Sequence, residues 1–82
     1  MTPFQRALIL NHGLTTGEAE AAELVAQGLT RSKACKRLSI SHMAMQARMG
    51  EAYKKLGFTW PKYQLEALYR AEVSRVGGGV LE

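Results

Sequence analysis

Residues 30–57 read TRSKACKRLSISHMAMQARMGEAYKKLG, and the punctuation of this stretch decides the fold. Thr30 is a helix-capping residue, and Ala34, Cys35 and Leu38 recur on one side of a short helix over about 31–38. Ser39-Ile40 forms a tight turn with Ile40 tucked in. Ser41 caps a longer helix from about His42 to Leu56, which Gly57 ends. A short helix, a tight turn and a Ser-capped longer helix have the spacing of a helix-turn-helix.

Helical signals continue on both sides, and no alternating strand pattern persists. Thr2-Pro3 starts a first helix, because proline at the first helical position loses no needed donor. Phe4, Ala7 and Leu8 give that helix one apolar side, and Gly13 ends it. Thr15-Thr16-Gly17-Glu18 is a capping box, in which hydroxyl and carboxylate each satisfy the other residue's backbone N–H. Leu14 stands ahead of it as a staple residue, Ala21, Leu24 and Val25 follow at helical spacing, and Gly28 closes the helix. Downstream, Thr59-Trp60-Pro61 starts a last helix over about 61–75. The sequence thus predicts an all-α bundle of four to five helices in a single domain, 1–76, with 77–82 a flexible tail around Gly77-Gly78-Gly79.

Composition narrows the function. The chain has 82 residues, 46% of them hydrophobic, enough for one small core. No run of about 18 apolar residues exists, so no transmembrane helix is expected. Met1 leads into Thr2-Pro3-Phe4 and not into a basic, apolar signal, and Cys35 has no partner for a disulfide; both favour the cytoplasm. There is no Asp. His12, His42 and Cys35 lack metal-ligand spacing, and no nucleophile elbow or phosphate loop occurs. No enzymatic activity, metal or cofactor is expected. Charge is uneven. Residues 31–62 set Arg31, Lys33, Lys36, Arg37, Arg48, Lys54, Lys55 and Lys62 against Glu51 alone, whereas both flanks are slightly acidic. A cationic centre suits a polyanion such as double-stranded DNA.

From Leu14 to Phe58 the chain resembles the DNA-binding domain of the LuxR/NarL/GerE regulators of bacteria and phages. Leu14-Thr15-x-x-Glu18 matches the opening L-T-x-x-E. Leu24, Ala26 and Gly28 match L-x-A-x-G, and Thr30 stands at the usual Ser. Leu38-x-Ile40-Ser41 matches L-x-I-S, and Lys55-Leu56-Gly57 matches the closing K-L-G. Region four of bacterial sigma factors is similar but ranks second, because it lacks the terminal K-L-G. The resemblance implies a four-helix DNA-binding fold in the stand-alone, GerE-like form, with the helix from His42 in the major groove and the last helix forming a dimer seam.

Two departures matter. Ala34-Cys35 and Ala52 stand where the family carries larger aliphatics, and Met43, Met45 and Met49 are expected to repack the core there. Ala44-Met45-Gln46-Ala47-Arg48 stands where the family often reads T-V-K-x-H. The base-reading candidates are His42, Met43, Gln46, Ala47, Arg48 and Gly50. Gln46 can pair with adenine or contact a phosphate, Met43 and Ala47 can touch thymine methyls, and Arg48 can meet a phosphate, a guanine, or Glu51 or Glu18 in a surface salt bridge. The phosphate candidates are Thr30, Arg31, Ser32, Lys33, Lys36, Arg37, Lys54 and Lys55. Leu65, Leu68, Tyr69 and Glu72 are the dimer-seam candidates, with Phe4 and Leu8 extending the seam; the alternative is that Leu65 and Leu68 pack within their own chain.

The expected function is a sequence-specific, homodimeric DNA-binding transcriptional regulator. The alternative is a protein-interaction module of the same fold that binds another regulator, because the long helix is poor in cations and rich in Met.

Overall fold

In a computed structural model the described residues are 1–57 and 65–71. They form four complete helices: α1 Pro3–His12, α2 Thr16–Ala26, α3 Arg31–Leu38 and α4 His42–Leu56. Residues 65–71 are also helical and are called α5. No strand occurs among the described residues, so the expected all-α class is observed. Phe58, the Thr59-Trp60-Pro61 start, Glu72 and the tail 77–82 lie outside the described residues.

Each complete helix is opened by a hydroxyl. Thr2, Thr15, Thr30 and Ser41 sit in extended backbone, and each side-chain oxygen accepts from the backbone N–H three residues on, Gln5, Glu18, Lys33 and Ala44 respectively. The reciprocal half of the capping box is formed too, with the Thr15 N–H donating to the Glu18 carboxylate at 2.9 Å. These bonds satisfy donors that a helix start leaves orphaned. They fix the helix boundaries at the residues the sequence marks.

α2 is the hub and packs against α1, α3 and α4. Ala19, Ala21 and Ala22 are buried without residual exposure, and small side chains around so much of its circumference let three helices approach closely. Glu23 is the unexpected element of this core. The residue is 6% exposed, and its carboxylate accepts from the Thr2 hydroxyl at 2.9 Å and from the Gln5 amide at 2.7 Å. The first turn of α1 thus supplies the donors that a buried carboxylate requires.

The α3–α4 turn has a feature no sequence signal marks. Ser39 adopts the left-handed conformation at φ 57, and its N–H donates to the Lys36 carbonyl while that of Ile40 donates to Cys35 at 3.1 Å. This pair of bonds is a Schellman closure made with serine in the usual glycine position. A left-handed L-residue costs about 1–2 kcal/mol. Ser39→Gly is therefore expected to stabilise the fold by about 1 kcal/mol less the glycine's added chain entropy. Thermal unfolding checks this, and a lowered midpoint would refute it.

The methionines divide. Met45 is 0% and Met49 7% exposed, and both belong to the same core cluster as Ala34, Cys35 and Ala52. Met43 is 82% exposed and takes no part in that repacking. The expectation for it is corrected, because it lies on the side of α4 opposite Met45, Met49, Ala52 and Leu56.

Candidate nucleic-acid interface

The buried side of α4 carries Met45, Met49, Ala52 and Leu56, which leaves its opposite side to solvent. His42, Met43, Gln46, Ala47, Gly50 and Lys54 are all exposed there. Five of the six sequence-derived base-reading candidates therefore share one open face. Arg48 is set apart. It is half-buried on the flank toward α2, with its guanidinium carbon and two of the nitrogens lying 3.2–3.4 Å from where a Cβ on Gly17 would stand. It forms neither of the salt bridges considered for it, since the only ion pair among the described residues is Lys55 with Glu18.

That pair joins the two ends of the chain's motif pattern. The Lys55 ammonium donates to Glu18 Oε1 at 2.8 Å, across 37 positions of sequence, tying the end of α4 to the start of α2. The Glu18 carboxyl is held below its ordinary 4.5, chiefly by the Lys55 hydrogen bond, with burial opposing and the Thr15 N–H adding to the lowering. Lys55 is thus engaged structurally and differs from the other phosphate candidates. Because the folded state lowers this acid, its contribution to stability is complete above pH 4.5 and is lost as pH falls through the depressed folded value. Glu18→Gln is expected to cost about 1–2 kcal/mol at neutral pH and to flatten the acid limb of the stability curve. Denaturant titrations across pH 2–7 check this, and an unchanged acid limb would refute it.

The remaining cations lie mainly on α3. Arg31, Ser32, Lys33, Lys36 and Arg37 are exposed, and Lys33, Lys36 and Arg37 line a shallow hollow together with Leu29. Lys33, Lys36, Arg37 and Lys54 form no ion pair with a described carboxylate. Thr30 stands at the start of α3, its oxygen accepting from Lys33 N at 3.2 Å. Basic residues in the first turn oppose the helix dipole, an arrangement that an approaching anion relieves. Burial pushes the Tyr53 phenol up, with Glu66 adding to this and Arg31 opposing it.

The seam candidates are redistributed. Leu65 is 0% exposed within the protomer, as Phe4 and Leu8 nearly are, so all three are core residues and no seam can use them. Leu68 and Tyr69 are half-buried against that core. Tyr69 meets Phe4 edge-on with ring centroids 5.0 Å apart, and its hydroxyl accepts from the Gln27 amide at 3.0 Å. α5 is therefore anchored on α1 and α2 of its own chain. Glu72 lies outside the described residues. Among the described residues no group of three His, Cys, Asp or Glu side chains is placed to hold a metal ion, and no helix is long and apolar enough to cross a membrane.

No family model matches this chain, and no curated protein or solved structure matches it.

Proposed function

We propose that the chain is a DNA-binding transcriptional regulator of the LuxR/GerE-like helix-turn-helix type, with α4 as recognition helix and α3 as the helix that sets it on the backbone. The observation carrying this reading is the continuous exposed face of α4, whose other side anchors the core. A helix face exposed along its whole length, and flanked by cations that form no ion pair with a described carboxylate, is dimensioned for a major groove about 12 Å wide. Gln46 then meets base edges, while Lys33, Lys36, Arg37 and Lys54 neutralise phosphates. The Glu18–Lys55 bridge supports the family reading, because it gives the L-T-x-x-E and K-L-G segments a common structural purpose.

Homodimerisation on a palindromic site belongs to the same proposal. Leu65 is unavailable to a seam, so the dimer contact falls to the exposed side of α5 or to residues beyond those described. Selection of bound fragments from a random duplex library, at moderate salt, tests the function. Enrichment of one sequence supports it. Binding only at low salt, without enrichment, would overturn sequence-specific regulation and favour the protein-interaction alternative, for which exposed Met43 is the specific observation.

A further inference from the structure

Resting on the duplex-binding reading, we propose that Met43, Ala47 and Gly50 make α4 a reader of thymine 5-methyl groups, so that the bound half-site is marked by apolar methyls and not by guanine. Two independent observations lead there. Met43 is 82% exposed, more than Leu10 at 74% or Met1 at 67%, and it stands in the first turn of α4 with its side chain in solvent. Gly50 sits inside the same helix at a position where a Cβ would meet nothing within 4 Å. Its φ lies outside the left-handed region, since the positive-φ glycines are Gly13, Gly28 and Gly57. Neither backbone conformation nor packing within the protomer therefore calls for glycine there, and a helix-interior glycine is disfavoured relative to alanine. The missing side chain is explained by a close approach from outside.

The three positions follow i, i+4, i+7 spacing and form one line along the centre of the exposed face. Lys54, four residues further on, is the only cation on that line. Gln46 flanks it on one side, and the exposed Glu51 flanks it on the other. In the major groove the thymine methyl is the apolar feature among hydrogen-bonding edges. Met43 offers a polarizable thioether chain to such a methyl, Ala47 a methyl, and Gly50 the clearance that lets the helix backbone sink toward the bases. Met43 and Ala47 are about 6 Å apart along the helix axis, close to two base-pair steps of about 3.4 Å each. Two thymines within about two steps of each other are the expected mark, with Gln46 beside them for an adenine.

The test compares an alternating d(AT) duplex of about 20 base pairs with the same duplex carrying deoxyuridine for thymine, which removes the methyls and leaves charge and pairing unchanged. Binding is read at moderate salt for the full chain and for Met43→Ala and Gly50→Ala. Loss of one buried methyl corresponds to about fourfold in affinity, so the d(AT) duplex is expected to bind about tenfold more tightly or better. Met43→Ala is expected to narrow that ratio. Gly50→Ala is expected to raise the thermal midpoint while weakening d(AT) binding about tenfold. Equal binding of the two duplexes, or a Gly50→Ala protein that gains stability without losing affinity, would overturn the inference and leave duplex binding standing. Failure to bind either duplex would overturn the inference, and only failure to enrich any sequence from the random library would overturn the duplex-binding reading as well.

Discussion

Replacing Lys33, Lys36 and Arg37 together by alanine is expected to lower duplex affinity by about two to three orders of magnitude at about 0.1 M salt. The three side chains project from one side of α3, around one hollow, without carboxylate partners among the described residues. Each phosphate contact contributes about 0.9 to the slope of log affinity against log salt, so the triple variant should bind with a slope shallower by about 2.7 per protomer. Alanine is a good helix former, and the opposite side of α3, with Ala34 and Cys35 buried, is left intact. Helical content and thermal midpoint should therefore stay near the parent values. Arg6→Ala is the matched control, an exposed cation on α1 away from this surface. Equal losses in both variants would mean a diffuse electrostatic effect and no defined phosphate surface.

The second large effect concerns stability. Met45→Ala should destabilise the fold by about 2–5 kcal/mol, the range for truncating a fully buried long side chain. Met45 is one of the largest completely buried side chains, with Leu8 and Leu65. The same core cluster contains Ala34 and Ala52 among its small members, and a tightly packed core collapses only partly into a new void. Domains of this size hold roughly 4–12 kcal/mol in all, so the loss consumes a large share and should drop the midpoint by more than about 10 °C. Met43→Ala, two residues away, should change stability by less than about 0.5 kcal/mol. The contrast is measured by chemical denaturation of both variants. Similar losses would refute the placement of the two methionines on opposite sides of α4.

Helix boundaries were the most legible feature of the sequence. Thr2, Thr15, Thr30 and Ser41 announce the helix starts because capping is local chemistry, settled within three residues. Gly13 and Gly57 announce two of the ends for the same reason. The left-handed Ser39 is less legible, because the local closure it makes with Lys36 and Cys35 normally carries glycine at that position and serine gives no such signal. Glu23 looks like one more surface acid of an acidic helix. Its burial depends on where the first turn of α1 lands, a contact across 18 and 21 positions.

The open face of α4 was readable from periodicity, which separates Gln46 and Ala47 from Met49 and Ala52. Periodicity identifies an apolar side without saying what covers it. Leu65 and Leu68 accordingly read equally well as a dimer seam or as an intrachain contact, and the structure places Leu65 in its own core. The Lys55–Glu18 contact is illegible in the sequence for a related reason. A lysine in the last turn of a helix satisfies both a phosphate and a distant carboxylate, and only tertiary packing brings Glu18 within 2.8 Å. Arg48, by contrast, sits over Gly17, where the lack of a side chain leaves room for its guanidinium.

Amide chemical-shift mapping during titration with an enriched duplex, at about 0.15 M salt, distinguishes the groove-binding face from every other surface. The largest changes are expected at His42, Met43, Gln46, Ala47 and Gly50, with a second group at Thr30 to Lys33. Changes centred on α1 and α2, with α4 unmoved, would contradict the assignment of α4 as the helix that reads DNA.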